Sequence, residues 1–147
     1  MQIREVMTQG VETISSSAPA IEAAAKMREL DVGSLPVCEG ERLQGLLTDR
    51  DIAVRLVAQG LDACTTKVSE IMTPDATYCF DDQTLDEAAA VMEAHQIRRL
   101  PILNREKQLI GMLSLGDLAV RTQGAEDRQL AEEALEEISE PSKPNRY

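Results

Sequence analysis

Aromatic side chains are scarce. Among 147 residues there is no tryptophan, one phenylalanine and two tyrosines. So few rings leave little for stacking nucleic-acid bases on a surface platform. Positive charge is short as well: 15 Lys and Arg stand against 26 Asp and Glu, a formal charge of −11 with the single histidine neutral. A nucleic-acid partner needs cationic patches to meet phosphates, and this balance argues against one. No apolar run approaches the roughly 18 residues of a membrane span. The start, Met1-Gln2-Ile3-Arg4-Glu5, lacks the charged lead and apolar core of a signal peptide. A cytoplasmic location is therefore expected, with no membrane partner. Cys38, Cys64 and Cys79 form no CxxC pair and, with one His, no evident metal quartet, so reduced thiols are expected. No phosphate-loop lysine and no nucleophile–base pair points to catalysis.

What the chain has is itself, twice. Val6-Met7-Thr8 recurs as Ile71-Met72-Thr73, and Glu22-Ala23-Ala24-Ala25 as Glu87-Ala88-Ala89-Ala90. Leu35-Pro36-Val37 recurs as Leu100-Pro101-Ile102, and Asp51-Ile52-Ala53-Val54-Arg55 as Asp117-Leu118-Ala119-Val120-Arg121. Internal duplication of this kind sets the architecture before any local reading. Each copy predicts a short strand (11–14 and 76–79), an Ala-rich helix (19–30 and 85–95), a buried strand (35–38 and 100–103), a second apolar strand (43–47 and 109–113) and a closing helix (49–58 and 116–122). Thr84 has the capping-box form, Pro19 suits a first-turn position, and Gly33 is the expected stop of the first helix. The fold class is α+β, two β-α-β-β-α repeats at residues 1–64 and 65–124. Each repeat is too small to bury a large core alone, so the two are expected to pack face to face. Residues 125–147 belong to neither repeat and are expected to be an acidic helical or disordered tail.

The segment Gly45-Leu46-Leu47-Thr48-Asp49-Arg50-Asp51 and its partner Gly111-Met112-Leu113-Ser114-Leu115-Gly116-Asp117 share the form Gly-x-x-(Thr/Ser)-x-x-Asp at a strand–helix junction. A hydroxyl there sits beside free backbone N–H groups and the positive helix end, which suit a phosphate. An Asp one turn later can accept from both hydroxyls of a ribose, and glycine permits close approach of the backbone. The same residues also serve as plain helix caps and first-turn acids. Both readings stand at this level.

These motifs together resemble a tandem pair of cystathionine-beta-synthase (CBS) domains, the Bateman module, over about residues 3–122. In detail the pattern is most similar to small bacterial modules of the hypoxic-response type. The resemblance implies pseudo-twofold symmetry and two clefts between the copies, where many members bind AMP, ADP, ATP, S-adenosylmethionine or related adenosine compounds. Carried over by position, one set of nucleotide-binding residues is Thr48, Arg50, Asp51, Ala76, Thr77, Ile97, Arg98 and Arg99. The other is Ser114, Asp117, Val11, Glu12, Val32 and Gly33. The first set is the better expected site: it has three arginines, whereas Glu12 places an anion by the second. Arg98 and Arg99 also fit a solvated basic pair beside a strand. The resemblance further implies a homodimer through the Ala/Met helices, and a regulatory output through a separate effector protein. No cofactor is required and no metal is assigned. The competing expectations are a stress-response interaction module that binds no nucleotide, and a zinc- or thiol-responsive module using Cys38, Cys79 and His95.

Overall fold

The computed structural model describes Met1–Arg121, so the segment 125–147 lies outside the described residues. The chain divides into two compact units. The first, here the Asp51 unit, is Val11–Thr77 with Lys107–Leu109; the second, the Asp117 unit, is Met1–Gly10, Tyr78–Glu106 and the chain from Ile110.

In the Asp51 unit the elements run β1 (Ile14–Ser15), α1 (Ala20–Leu30), β2 (Ser34–Glu39), β3 (Arg42–Thr48), α2 (Asp49–Asp51), a π-helical run (Ile52–Val57), α3 (Val68–Ile71) and β4 (Thr73–Pro74). The sheet order is β1-β2-β3-β4. β1 lies parallel to β2 with Ile14 opposite Val37, β2 is antiparallel to β3 with an irregularity at Val37/Cys38, and β3 is antiparallel to β4. α1 turns Ala20, Ala23 and Met27 onto Leu35, Val37, Leu47, Leu56, Val68 and Ile71, forming one buried cluster. The small alanines allow the helix to sit close to the sheet.

The Asp117 unit repeats the plan with a short 3-10 turn (Ile3–Glu5), β5 (Cys79–Phe80), α4 (Leu85–His95), β6 (Arg99–Leu103), β7 (Leu109–Ser114) and α5 (Leu115–Arg121). Its sheet order is β5-β6-β7. Ala88, Ala89 and Met92 of α4 pack with Ile3, Val6, Leu100, Ile102, Leu113, Leu115 and Leu118 in a second buried cluster.

The tandem strand–helix–strand–strand–helix expectation holds, with four local corrections. The first strand of each copy is shorter and later than 11–14 and 76–79, because the parallel ladder begins only where Ile14 meets Val37 and Cys79 meets Ile102. Pro19 is the extended cap before α1 (ψ 147°) rather than its first-turn residue. Gly33 does not stop α1: Asp31 takes the left-handed position (φ 54°), as Gln96 does after α4 (φ 51°). Asp is one of the few residues besides glycine that take this conformation readily, and the Asp31 N–H closes the helix on the Met27 carbonyl. The expected helix 49–58 is wound in two ways, α then π, the looser i→i+5 pattern closing with the Ala58 N–H on the Ala53 carbonyl.

Each unit is completed from the other repeat's sequence. The Ile3 N–H donates to the Gln83 carbonyl at 2.9 Å, and the matching Val68 N–H donates to the Ala18 carbonyl at 2.9 Å. Arg4 to Asp81 (3.0 Å) is mirrored by Ser69 to Ser16 (2.9 Å), and Leu85 to Met1 (3.1 Å) by Ala20 to Thr66 (2.8 Å). Thr8 exchanges both backbone bonds with Met112 at 2.9 and 3.0 Å, while Thr73 stands opposite Leu46. The two repeated Met-Thr segments thus supply equivalent edges. Among the described residues no helix is long and apolar enough to cross a membrane.

Candidate nucleotide-binding residues

Thr48 ends β3 and caps α2. Its Oγ1 accepts from the Asp51 N–H at 3.1 Å, and Asp51 Oδ2 accepts from the Thr48 N–H at 3.0 Å. The reciprocal pair is a capping box, so the helix-cap reading is satisfied in full. Ser114 and Asp117 repeat it at 3.0 and 3.0 Å. Asp51 does more than cap. It is only 7% exposed, yet a carboxylate accepts at about four lone-pair sites. The Thr73 hydroxyl stands 3.4 Å from each of its oxygens, and Arg55 Nε lies 3.9 Å from Oδ1. Only the Thr48 bond is at full strength by distance, because O–H···O bonds center near 2.7–2.8 Å.

Thr73 reaches Asp51 because β4 lies against Gly45. A Cβ at Gly45 would stand 2.5 Å from the Thr73 carbonyl oxygen and 3.1 Å from Met72 Sδ. At Gly111 the Thr8 carbonyl and Met7 Sδ would each be 2.8 Å away. The motif glycines therefore make room for a neighboring segment of the chain. Arg55, on the π-helical run, also donates through Nη1 to the Met72 carbonyl at 2.8 Å.

The remaining expected residues divide between the units. Val11, Glu12, Val32, Gly33, Arg50, Ala76 and Thr77 lie with Thr48 and Asp51; Ile97, Arg98 and Arg99 lie with Ser114 and Asp117. Each expected set draws on both units. Arg50, Arg98 and Arg99 are exposed, whereas Ala76 and Thr77 are half-buried. Gly33 and Arg98 occupy matching backbone positions. The Gly33 carbonyl accepts from Asp49 N–H at 2.9 Å, and the Arg98 carbonyl from Leu115 N–H at 2.9 Å. One location thus pairs glycine with an exposed acid, its counterpart an arginine with a leucine. Glu12 is not an isolated anion: Lys26 Nζ lies 3.4 Å from its carboxylate and donates to the Thr13 carbonyl at 2.6 Å.

Sequence reasoning passed over Thr73, Arg55 and Lys26. The first two carried a signal, since Met-Thr and Asp-x-Ala-Val-Arg are both repeated. Lys26 carried none, because Val91 matches it.

The three thiols are free. Burial, with a smaller contribution from Glu39, pushes Cys38 up to about 11; burial, with a smaller contribution from Glu87, does the same to Cys79. Both are protonated at neutral pH and so are poor metal ligands and nucleophiles. Among the described residues no group of three His, Cys, Asp or Glu side chains is placed to hold a metal ion.

Two α+β units closed by the same hydroxyl–carboxylate cap define a duplicated α+β module. The chain belongs to the CBS domain family, whose model matches residues 3–58 and again 68–122. It is 42% identical over 137 residues to the CBS domain-containing protein YhcV of Bacillus subtilis, covering 93% of this chain and 94% of YhcV. It is 38% identical over 117 residues to hypoxic response protein 1 of Mycobacterium tuberculosis, covering 79% and 81% of the two chains. A solved structure of hypoxic response protein I with two coordinated zinc ions is 35% identical, with a TM-score of 0.77, covering 83% of this chain and 99% of that one. The fold is also that of CBSX2 in complex with AMP, at 23% identity and a TM-score of 0.70, covering 92% and 96%. Tandem modules of this family are regulatory.

Proposed function

We propose that the chain is a sensory module that binds an adenine nucleotide or a related adenosine compound and passes its occupancy to an effector protein. Asp51 is the ribose acceptor, the Thr48 hydroxyl faces phosphate or ribose, and Arg50, Arg98 and Arg99 supply positive charge. The N–H groups of Thr48, Asp49, Arg50 and Asp51 are already bonded within the chain, so the phosphate is met by side chains. Ala76 and Thr77 serve the base. Ser114, Asp117, Val11, Glu12, Val32 and Gly33 make the weaker second set. One observation carries this reading. Asp51 is a buried carboxylate with a single short hydrogen bond and three longer contacts. Two ribose hydroxyls would fill the acceptor capacity that a cap alone does not use. Calorimetric titration of the full chain with AMP, ATP and S-adenosylmethionine tests it. Saturable binding, weakened about tenfold or more in Asp51→Ala, is the expected result; no heat with any of the three overturns it.

An interaction surface has its own support. Val54, Val57 and Leu61 are 44, 68 and 47% exposed. Large apolar groups this open on one short stretch suit a homodimer or effector contact. Val57→Glu should shift sedimentation toward monomer if the surface is a dimer contact.

A further inference from the structure

We propose that Arg55 is a positioning residue that ties the Asp51 carboxylate to the segment Met72–Thr77, so that its guanidinium sets ligand affinity without touching the ligand. The proposal rests on the nucleotide reading of Asp51. One side chain makes both contacts: Nη1 donates to the Met72 carbonyl at 2.8 Å, and Nε lies 3.9 Å from Asp51 Oδ1. A guanidinium is built for this, since its rigid fork presents several donors in fixed directions. The carbonyl bond is charge-assisted and at full distance, so it anchors the arginine. The contact with Asp51 is a charge attraction rather than a hydrogen bond, which leaves Oδ1 open to hydroxyl donors while its charge stays balanced.

The anchored carbonyl lies at a decisive point in the chain. Met72 is the extended cap that follows α3, and Thr73 opens β4 beside Gly45, with its hydroxyl 3.4 Å from Asp51. Asp75 then turns the chain in the left-handed conformation (φ 52°), and Ala76 and Thr77 come next. Arg55 therefore holds the ribose acceptor and the start of the base-side segment from one atom cluster. A lysine has three donors on one nitrogen but no rigid fork, so it holds the two partners in a less fixed geometry.

The test uses the full chain, titrated with AMP, as wild type, Arg55→Ala, Arg55→Lys, Asp51→Asn and the double variant Asp51→Asn/Arg55→Ala. Arg55→Ala should weaken AMP about tenfold, and Arg55→Lys should recover only part of it. The double variant should bind no more weakly than Asp51→Asn, because the two residues act as one unit. A merely structural arginine would instead give additive losses. AMP affinity of Arg55→Ala within twofold of wild type, full rescue by lysine, or additive losses each overturn the proposal. Hydrogen exchange on ligand-free protein separates its failure from that of the nucleotide reading. If wild type binds no AMP, faster exchange of the Thr73 and Leu46 amides in both Arg55→Ala and Asp51→Asn still supports the coupling. Unchanged exchange removes it.

Discussion

The closing helices of the two units share Asp-x-Ala-Val-Arg, yet one is π-wound through Ile52–Val57 and the other is an ordinary α-helix, Leu115–Arg121. The difference lies in their first turns. α5 opens with Leu115 and continues to Leu118, 6 and 2% exposed, both in the unit's core. The matching residues of the Asp51 unit are Asp49, which is exposed, and Ile52, which is only half-buried. Two buried leucines fix a helix against its sheet. A charged opening turn leaves the winding to the residues downstream, here buried Leu56 and the contacts of Arg55. Duplication has given one copy that spends this helix on packing and one that keeps it for charge.

That contrast can be broken by substitution, and the largest effect should come from the packing side. Leu118→Ala should cost about 2–5 kcal/mol by urea unfolding, and Ile52→Ala roughly half as much or less, because the cavity term scales with burial. Equal losses would remove the distinction between the helices. The motif glycines come next. Gly45→Ala and Gly111→Ala should each destabilize by about 1–3 kcal/mol through overpacking. Gly45 should be the worse, since a backbone carbonyl stands 2.5 Å from the added carbon, against 2.8 Å at Gly111; at both the other close atom is a flexible methionine sulfur. On ligand binding, Asp51→Ala should reduce AMP affinity about tenfold or more, an effect of about 1.4 kcal/mol or more. Asp117→Ala should reduce it less. Matching losses by calorimetry would make the two caps functionally equal.

The smallest effect concerns Cys38 and Cys79, one in each unit. Both are raised from 9.0 to about 11 by burial. The sign comes from linkage: the folded thiol holds its proton more tightly than the unfolded one. Its stabilizing contribution is complete below pH 9 and disappears as pH rises through 11. Each cysteine should account for about 1 kcal/mol of lost stability by pH 10. Denaturant midpoints at pH 8 and 10 should converge stepwise in Cys38→Ala and Cys79→Ala. The two substitutions should act alike, which sets a baseline for the asymmetries above.

Much of this was legible from residues alone. The repeat places α1 and α4, β2 and β6, and β3 and β7 within a residue or two, since Ala-rich and Leu-Pro-Val segments carry strong local patterns. The Thr48–Asp51 and Ser114–Asp117 caps are implied by spacing. The stop at Asp31 was not legible, because glycine nearby is the stronger local signal and the choice depends on packing. Lys26 beside Glu12 was hidden because the contact joins the chain before β1 to a helix turn with no counterpart in the second copy. Thr73 and Arg55 were visible as repeated residues, but their convergence on Asp51 depends on a strand laid against Gly45, which sequence spacing does not show.

The shared segments also impose an order on synthesis. Nearly all of the Asp51 unit is present once Thr77 has left the ribosome, with only Lys107–Leu109 still to come. Met1–Gly10, although made first, must wait for Met112 before Thr8 finds its partner. Ile3, Val6 and Met7, destined for a core, would stay uncovered through most of translation. Contacts of such long sequence separation form late. The earliest-made residues should be the last to fold.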